Sequence, residues 1–243
     1  MPPTLHIFPY SNFCEKAVWA LDAFGQPYER RLHFAGPHAR AVKKLSGQTA
    51  VPVLENGQRI TAGSASIIEL FSESAAYDRL VPTSHRAEIM EWQARLDGIG
   101  ATLRGTLFYQ ILPHRTLAIR LLSGRQKAPW GGYGLFFRAF TPVLMSMLRK
   151  NMPDQATGLS ACRPVLDDIA QAAGDGYLVG DQFTLADLTA AAIFYPICHP
   201  AGSLGHEVTQ AEPQLAKWHA LWADHPAIAY VQRIYTDHRR AKA

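Results

Sequence analysis

The sequence predicts an α/β unit followed by an all-helical unit. Three observations carry this. Between Leu5 and Leu70 the chain reads strand, helix, strand, helix, strand, strand, helix. Beyond Ser84 apolar residues recur at three- and four-residue steps, as on helices. Deep in that second stretch, Phe183-Thr184-Leu185-Ala186-Asp187-Leu188 has the pattern of a capping box with a hydrophobic staple. The expected boundaries are 1–77 for the first unit and 85–243 for the second.

The first unit is organised around Leu5 to Phe24. Leu5, Ile7 and Phe8 supply a short buried strand. Pro9 stops it, because proline has no N–H for a sheet. Phe13, Val18, Leu21 and Phe24 then fall near helical spacing. Ser11 sits where that helix starts, beside free backbone N–H groups and the positive end of the helix dipole. A hydroxyl there can cap the helix, and the place can also hold a thiolate.

The elements that follow have their own signals. Gly25-Gln26-Pro27 is a turn, and Tyr28 to Phe34 alternates well enough for a second strand. Ala35 to Leu45 carries breakers and then a short basic helix. Val51 to Glu55 and Gln58 to Thr61 read as strands joined at Asn56-Gly57, where both residues accept positive φ. Ser64 to Ser74 reads as a helix burying Ile67, Ile68 and Phe71. Asp78 to Ser84 reads as a linker, with Thr83 or Ser84 as a cap. Ile89, Trp92, Leu96, Ile99 and Leu103 mark one face of a long helix. Val165, Leu166 and Ile169 mark another, and the last two helices run over 214–223 and 226–240. Trp218 and Trp222, one turn apart, read as core. Leu103 to Met152 holds Phe108-Tyr109, a Gly- and Pro-containing break and an apolar helix over Leu135 to Leu148. It suits a larger core or dimer contact, a hydrophobic pocket, or a basic amphipathic membrane helix, in that order.

Composition excludes several classes. The chain has 243 residues, 48% of them hydrophobic and 18% charged, which suits a sizeable core rather than disorder. The net charge of +4 comes from scattered basic residues, unlike the dense stripe of a nucleic-acid binder. The three cysteines, Cys14, Cys162 and Cys198, are odd in number and far apart, which argues for a reducing, cytoplasmic compartment over a disulfide framework. No zinc spacing appears, no histidine pair has metal spacing, and Cys198-His199 reads as a helix end, so no metal is expected. The start, Met1-Pro2-Pro3-Thr4-Leu5, shows no signal peptide. The run Leu135 to Leu148 contains Arg138 and Pro142 and falls short of the ~20 residues of a bilayer span, so membrane contact is not the expected partner.

Ser11-Asn12-Phe13-Cys14-x-Lys16 resembles the glutaredoxin C-P-Y-C-x-K motif with serine in place of the first cysteine. Together with Thr49-Ala50-Val51-Pro52-Val53 and Ile60-Thr61-Ala62-Gly63-Ser64, it makes the chain similar to the serine-type members of the glutathione transferase superfamily. The resemblance implies a thioredoxin-like first domain and a helical second domain that begins its buried helix at the Thr184 box. It implies a homodimer that takes glutathione as cosubstrate and a hydrophobic electrophile, in a detoxifying transfer. Val51-Pro52 would be a cis pair holding the cysteinyl segment, with Thr49 and Ala50 beside it. On residues alone, an ordinary trans proline at a strand mouth is the commoner case. Gly63 and Ser64 would meet the γ-glutamyl end at a helix start. Gly63 stands where the family usually has an acidic residue. Ser11 would stabilise the thiolate, with Cys14 and Tyr10 as further candidates. Phe13, Phe108, Tyr109 and Trp130 would wall the hydrophobic site. Two alternatives stay open: a non-catalytic binder of hydrophobic ligands or a protein partner, and a glutathione-dependent thiol reductase using Cys14.

Overall fold

The computed structural model describes residues 2–34, 36–124, 131–210 and 212–239. In the first unit the order is β1 (Thr4–Ile7), α1 (Asn12–Ala23), β2 (Glu29–Leu32), α2 (His38–Ser46), β3 (Val53–Asn56), β4 (Arg59–Ala62) and α3 (Ser64–Glu69). The sheet order is β2-β1-β3-β4. β1 runs parallel to β2 and antiparallel to β3, with Leu5 facing Arg30 on one side and Leu54 on the other. This is the thioredoxin-like domain that the strand and helix order predicts. Leu5 and Ile7, two residues apart, share one sheet face. They bury with Ala17, Val18 and Leu21 of α1, Val53 of β3 and Ile67 of α3.

The hairpin differs in detail from its sequence reading. Asn56 pairs with Arg59, so the two-residue loop is Gly57-Gln58. Only Gly57, at φ +60°, takes the left-handed conformation there. The helix expected over 64–74 stops at Glu69, and α4 (Ala75–Leu80), capped by Ser74, occupies part of the expected linker. Neither Thr83 nor Ser84 caps the next helix. Both lie in a 3₁₀ turn, Thr83–His85, which runs straight into α5 (Arg86–Ile111).

The second unit continues with α6 (Arg115–Ser123), α7 (Gly132–Asn151), α8 (Gln155–Ala173), α9 (Leu185–Cys198), α10 (His206–Thr209), α11 (Pro213–Ala220) and α12 (Pro226–His238). α9 is its axis, because Leu185 to Ile197 are all buried. Its start is the expected box. The Thr184 N–H donates to Asp187 Oδ2 at 2.7 Å, and the Ala186 N–H donates to Thr184 Oγ1 at 3.2 Å. Asp187 also accepts from the Leu178 N–H at 2.7 Å and the Tyr230 hydroxyl at 2.6 Å. The Phe183 ring stacks on His238, with centroids 4.2 Å apart. Trp218 and Trp222 are buried, as their spacing predicts.

α1 joins the two units, and its polar residues do the joining. Buried Lys16 donates to both Asp97 oxygens of α5 at 2.7 and 2.8 Å. Burial lowers the Lys16 pKa, and Asp97 opposes that shift. The Asn12 amide donates to the Gly100 carbonyl at 3.0 Å. Gly100 allows this approach, since a Cβ there would lie 2.8 Å from Ile193 Cδ1 and 3.1 Å from Phe13 Cζ. Glu15, fully buried, accepts from Arg239 Nε and from the Leu204 N–H, each at 3.0 Å. Arg239 Nη1 reaches Asp22 Oδ2 at 2.9 Å, and its guanidinium lies over Trp19. Burial pulls the Arg239 pKa down, but Glu15 and Asp22 outweigh it and push it up.

Candidate functional site

Ser11 caps α1 from extended backbone, φ −156° and ψ 122°. Its Oγ accepts the Cys14 N–H at 3.4 Å. The same hydroxyl hydrogen-bonds the Cys14 side chain. Pro9 ends β1 just before it, and the clamps on Asn12, Glu15 and Lys16 fix the helix behind it.

The other two thiol-activating candidates are placed differently. Cys14 is fully buried and receives the Phe8 N–H at 3.4 Å. Burial pushes its thiol up to about 11, against the smaller lowering by Ser11 and Phe8. Tyr10 is buried, with its hydroxyl 2.9 Å from Nε2 of His199 and its ring stacked on that imidazole. Burial raises its pKa far above that of a free phenol. His199 is in turn 2.5 Å from His219, and burial followed by the neighbouring His219 and His206 lowers its pKa.

Beside Ser11 lies a small pocket walled by Tyr10, Asn12, Arg104, Leu107, Phe108, Ile111 and Pro196. Its enclosed part is about 20 Å³, far below the ~300–1,000 Å³ of ordinary ligand clefts. Of the four residues expected to wall a hydrophobic site, Phe108 lines this pocket. Phe13 instead packs between Gly100 and the Arg104 guanidinium, which lies 5.7 Å from its ring centroid. Tyr109 is half-buried against the helical core. Trp130 lies outside the described residues.

Arg104 is the wall residue that sequence reasoning missed. Asp97, Gly100 and Arg104 follow at helical spacing and meet Lys16, Asn12 and Phe13 in turn. The signal that could have found it is this second row at helical spacing beside the apolar row of α5. Burial lowers the Arg104 pKa, and the Cys14 sulfur opposes it. A guanidinium stays charged under either influence.

On the same domain, the Val51–Pro52 bond is cis, as the family resemblance implies. Thr49 and Ala50 are exposed beside it. The Gly63 N–H donates to the Pro52 carbonyl at 2.9 Å, tying this loop to the start of α3. Gly63 has φ +92° and ψ 141°, a conformation that L side chains rarely adopt. Ser64 is buried as the first residue of α3. Among the described residues no group of three or more His, Cys, Asp or Glu side chains could hold a metal.

A thioredoxin-like domain whose first helix is clamped against an all-helical domain, with a serine at that helix start and a cis-proline loop nearby, defines a known class of architecture. The descriptions "Glutathione S-transferase, N-terminal domain" and "Glutathione S-transferase, C-terminal domain" match residues 5–78 and 139–226. The chain belongs to the glutathione S-transferase superfamily. No curated protein sequence matches it. Among solved structures it is similar to glutathione transferase GSTFuA2 from Phanerochaete chrysosporium, at 18% identity and TM-score 0.65 over 100% of both chains. It is also similar to a glutathione S-transferase from Sinorhizobium meliloti, at 20% identity and TM-score 0.58 over 99% of this chain and 94% of that one. A glutathione transferase homologue from Drosophila mojavensis with bound glutathione aligns at 18% identity and TM-score 0.57, covering 97% of each chain. At these identities the likeness speaks for the fold.

Proposed function

We propose that the protein is a serine-type glutathione transferase acting on a hydrophobic electrophile. The observation that carries this reading is the place of Ser11. Its hydroxyl caps the start of α1 and lines the pocket, where it can turn from Cys14 to a bound sulfur. In this reading residues 1–77 bind glutathione and 85–243 supply the apolar wall. The extended cysteinyl segment pairs with the Val51 backbone beside Thr49 and Ala50, and the γ-glutamyl carboxylate meets Ser64 at the start of α3.

The thiol gives its proton to solvent. The resulting thiolate is held by the Ser11 hydroxyl, the dipole of α1 and the Arg104 charge. It attacks an electrophilic carbon held against Phe108, Leu107 and Ile111. The new carbon–sulfur bond forms as the leaving group departs with its electron pair, or as the electron pair of a strained or conjugated bond moves to the acceptor atom. Cys14 is not the nucleophile of this reading, because its thiol is buried and protonated at neutral pH. Cytoplasmic location and a homodimer are part of the proposal, and the free state of all three cysteines is in keeping with the first.

Gly63 favours one second reading. Without a carboxylate at that position the γ-glutamyl amine has no partner there, which suits a fold retained for binding hydrophobic ligands or a protein. Turnover of glutathione with an activated aryl halide separates the two. The transferase reading expects saturable turnover that Ser11→Ala lowers by 10-fold or more, with the apparent thiol pKa shifted upward. A binding module gives no turnover above the uncatalysed rate.

A further inference from the structure

Helix α7 contributes no residue to the pocket beside Ser11. The sequence suits a larger core or a dimer contact for the segment around it, and one of its faces is bare. Leu135, Ala139, Val143 and Met147 follow at four-residue steps and all are exposed, Leu135 by 73%, Val143 by 51% and Met147 by 53%. The opposite side is seated. Phe137 is buried, and Leu144 and Met145 pack on the helical core. The helix is therefore held in place while its outer stripe meets solvent.

Along the chain, the segment that carries this stripe has charge of one sign. From Gly98 to Pro153 the chain has eight Lys or Arg residues and no Asp or Glu. Of the six that lie among the described residues, Arg104 is in the pocket wall and Arg120 is in an ion pair with Glu212. Arg138, Arg149 and Lys150 of α7 and Arg115 of α6 are exposed.

We propose that α7 docks flat on an anionic lipid surface. Two observations choose that occupant. First, the exposed stripe amounts to on the order of 300 Å² of apolar surface, well short of the roughly 800 Å² per partner that a stable protein interface buries. A second copy of this face would also bring Arg138, Arg149 and Lys150 against their own kind, with no acid in the segment to answer them. Second, an apolar strip flanked by bases alone is the pattern of an interfacial helix, which buries a few side chains among acyl chains while its cations meet headgroups. Pro142 and three basic residues keep α7 from crossing, and no helix among the described residues is long and apolar enough to span a membrane. The helix would lie along the surface for about 30 Å.

Co-sedimentation of the full chain with phosphatidylcholine vesicles, with or without 30% phosphatidylglycerol, tests this. The expected result is binding to the anionic vesicles at 0.1 M salt, at least 10-fold weaker on phosphatidylcholine alone or at 0.5 M salt. The variant Val143→Glu/Met147→Glu is expected to lose at least 10-fold. Arg138→Gln/Arg149→Gln/Lys150→Gln is expected to lose on the order of 100-fold, at about fivefold per cation. Neither variant touches the pocket, so melting temperature and glutathione binding serve as controls for folding. Absence of binding to anionic vesicles overturns the proposal, and so does binding that Val143→Glu/Met147→Glu leaves unchanged. Self-association without vesicles that this variant abolishes would assign the face to a second copy and overturn it equally.

Discussion

Removing the Arg239 guanidinium is expected to loosen α1 and, with it, the position of Ser11. Arg239 bridges two carboxylates of α1, Glu15 at 3.0 Å and Asp22 at 2.9 Å, and the side chains of Arg239 and Glu15 are 4% and 0% exposed. Arg239→Ala leaves Glu15 buried with the Leu204 N–H as its remaining donor among the described residues. Breaking a buried ion pair from one side costs about 3–5 kcal/mol, because the stranded charge is uncompensated. At 2–4 °C per kcal/mol for a chain of this size, the melting temperature should fall by roughly 6–20 °C. The pair Arg95–Asp168 is the control, since both side chains are 43% exposed. Arg95→Ala should cost less than about 1 kcal/mol, because solvent screens such a pair. The double variant Glu15→Gln/Arg239→Met should recover much of the loss, since it leaves no unpaired charge at Glu15 and keeps an acceptor for Leu204. Urea and thermal unfolding read the parent, these three variants and the singles Glu15→Gln and Arg239→Met. An Arg239→Ala protein within about 1 kcal/mol of the parent, or a double variant that falls by the sum of its singles, would refute the reasoning.

Three other outcomes follow from the same structure. Asp187→Ala strands the N–H groups of Leu178 and Thr184 and the hydroxyl of Tyr230 in the core, at about 1–3 kcal/mol each. Expression in soluble form should collapse, and Asp187→Asn should be intermediate by thermal unfolding. Burial, then the neighbouring His6, His38 and Arg31, lowers the His33 pKa from 6.5 to about 4. Between those values the unfolded chain binds a proton that the folded ring refuses, so stability should fall as pH drops from about 6.5 to about 4. Urea midpoints should show that slope, and His33→Gln should flatten it. Burial also puts Cys14 at about 11 and Cys162 and Cys198 at about 12. A thiol reagent at pH 7.5 should label the folded protein slowly and all three thiols at once in urea. A single fast-reacting Cys14 would instead revive the thiol-reductase reading.

Much of the fold was legible because local signals and burial agree. Leu5 and Ile7 alternate, Pro9 ends the strand, and Ser11 accepts the N–H its position predicts. The Thr184 box holds because its acid, Asp187, is also the one acceptor for donors from two other segments. The hairpin slipped by one position because pairing, and not the favoured dipeptide, sets the loop: Asn56 is held by Arg59. In the site, the start of α1 was legible from capping chemistry. Arg104 was not, because attention to the apolar row of α5 hides the polar row at Asp97, Gly100 and Arg104. The distinct surroundings of Tyr10 and Cys14 were also beyond the sequence. They depend on His199 and on complete burial, both set by contacts distant in the chain. The same holds for α7, where periodicity reveals two faces but not which one a neighbour covers.

The central claim is that Ser11 holds the sulfur of glutathione, and calorimetric titration of the protein with glutathione near neutral pH, beside Ser11→Ala, tests it most directly. The account expects one site per chain, with proton release from the thiol that the Ser11→Ala protein reduces or loses while the peptide portion still binds. Absence of saturable binding at millimolar glutathione would contradict it, and would mean that Gly63 has left the fold without its thiol ligand.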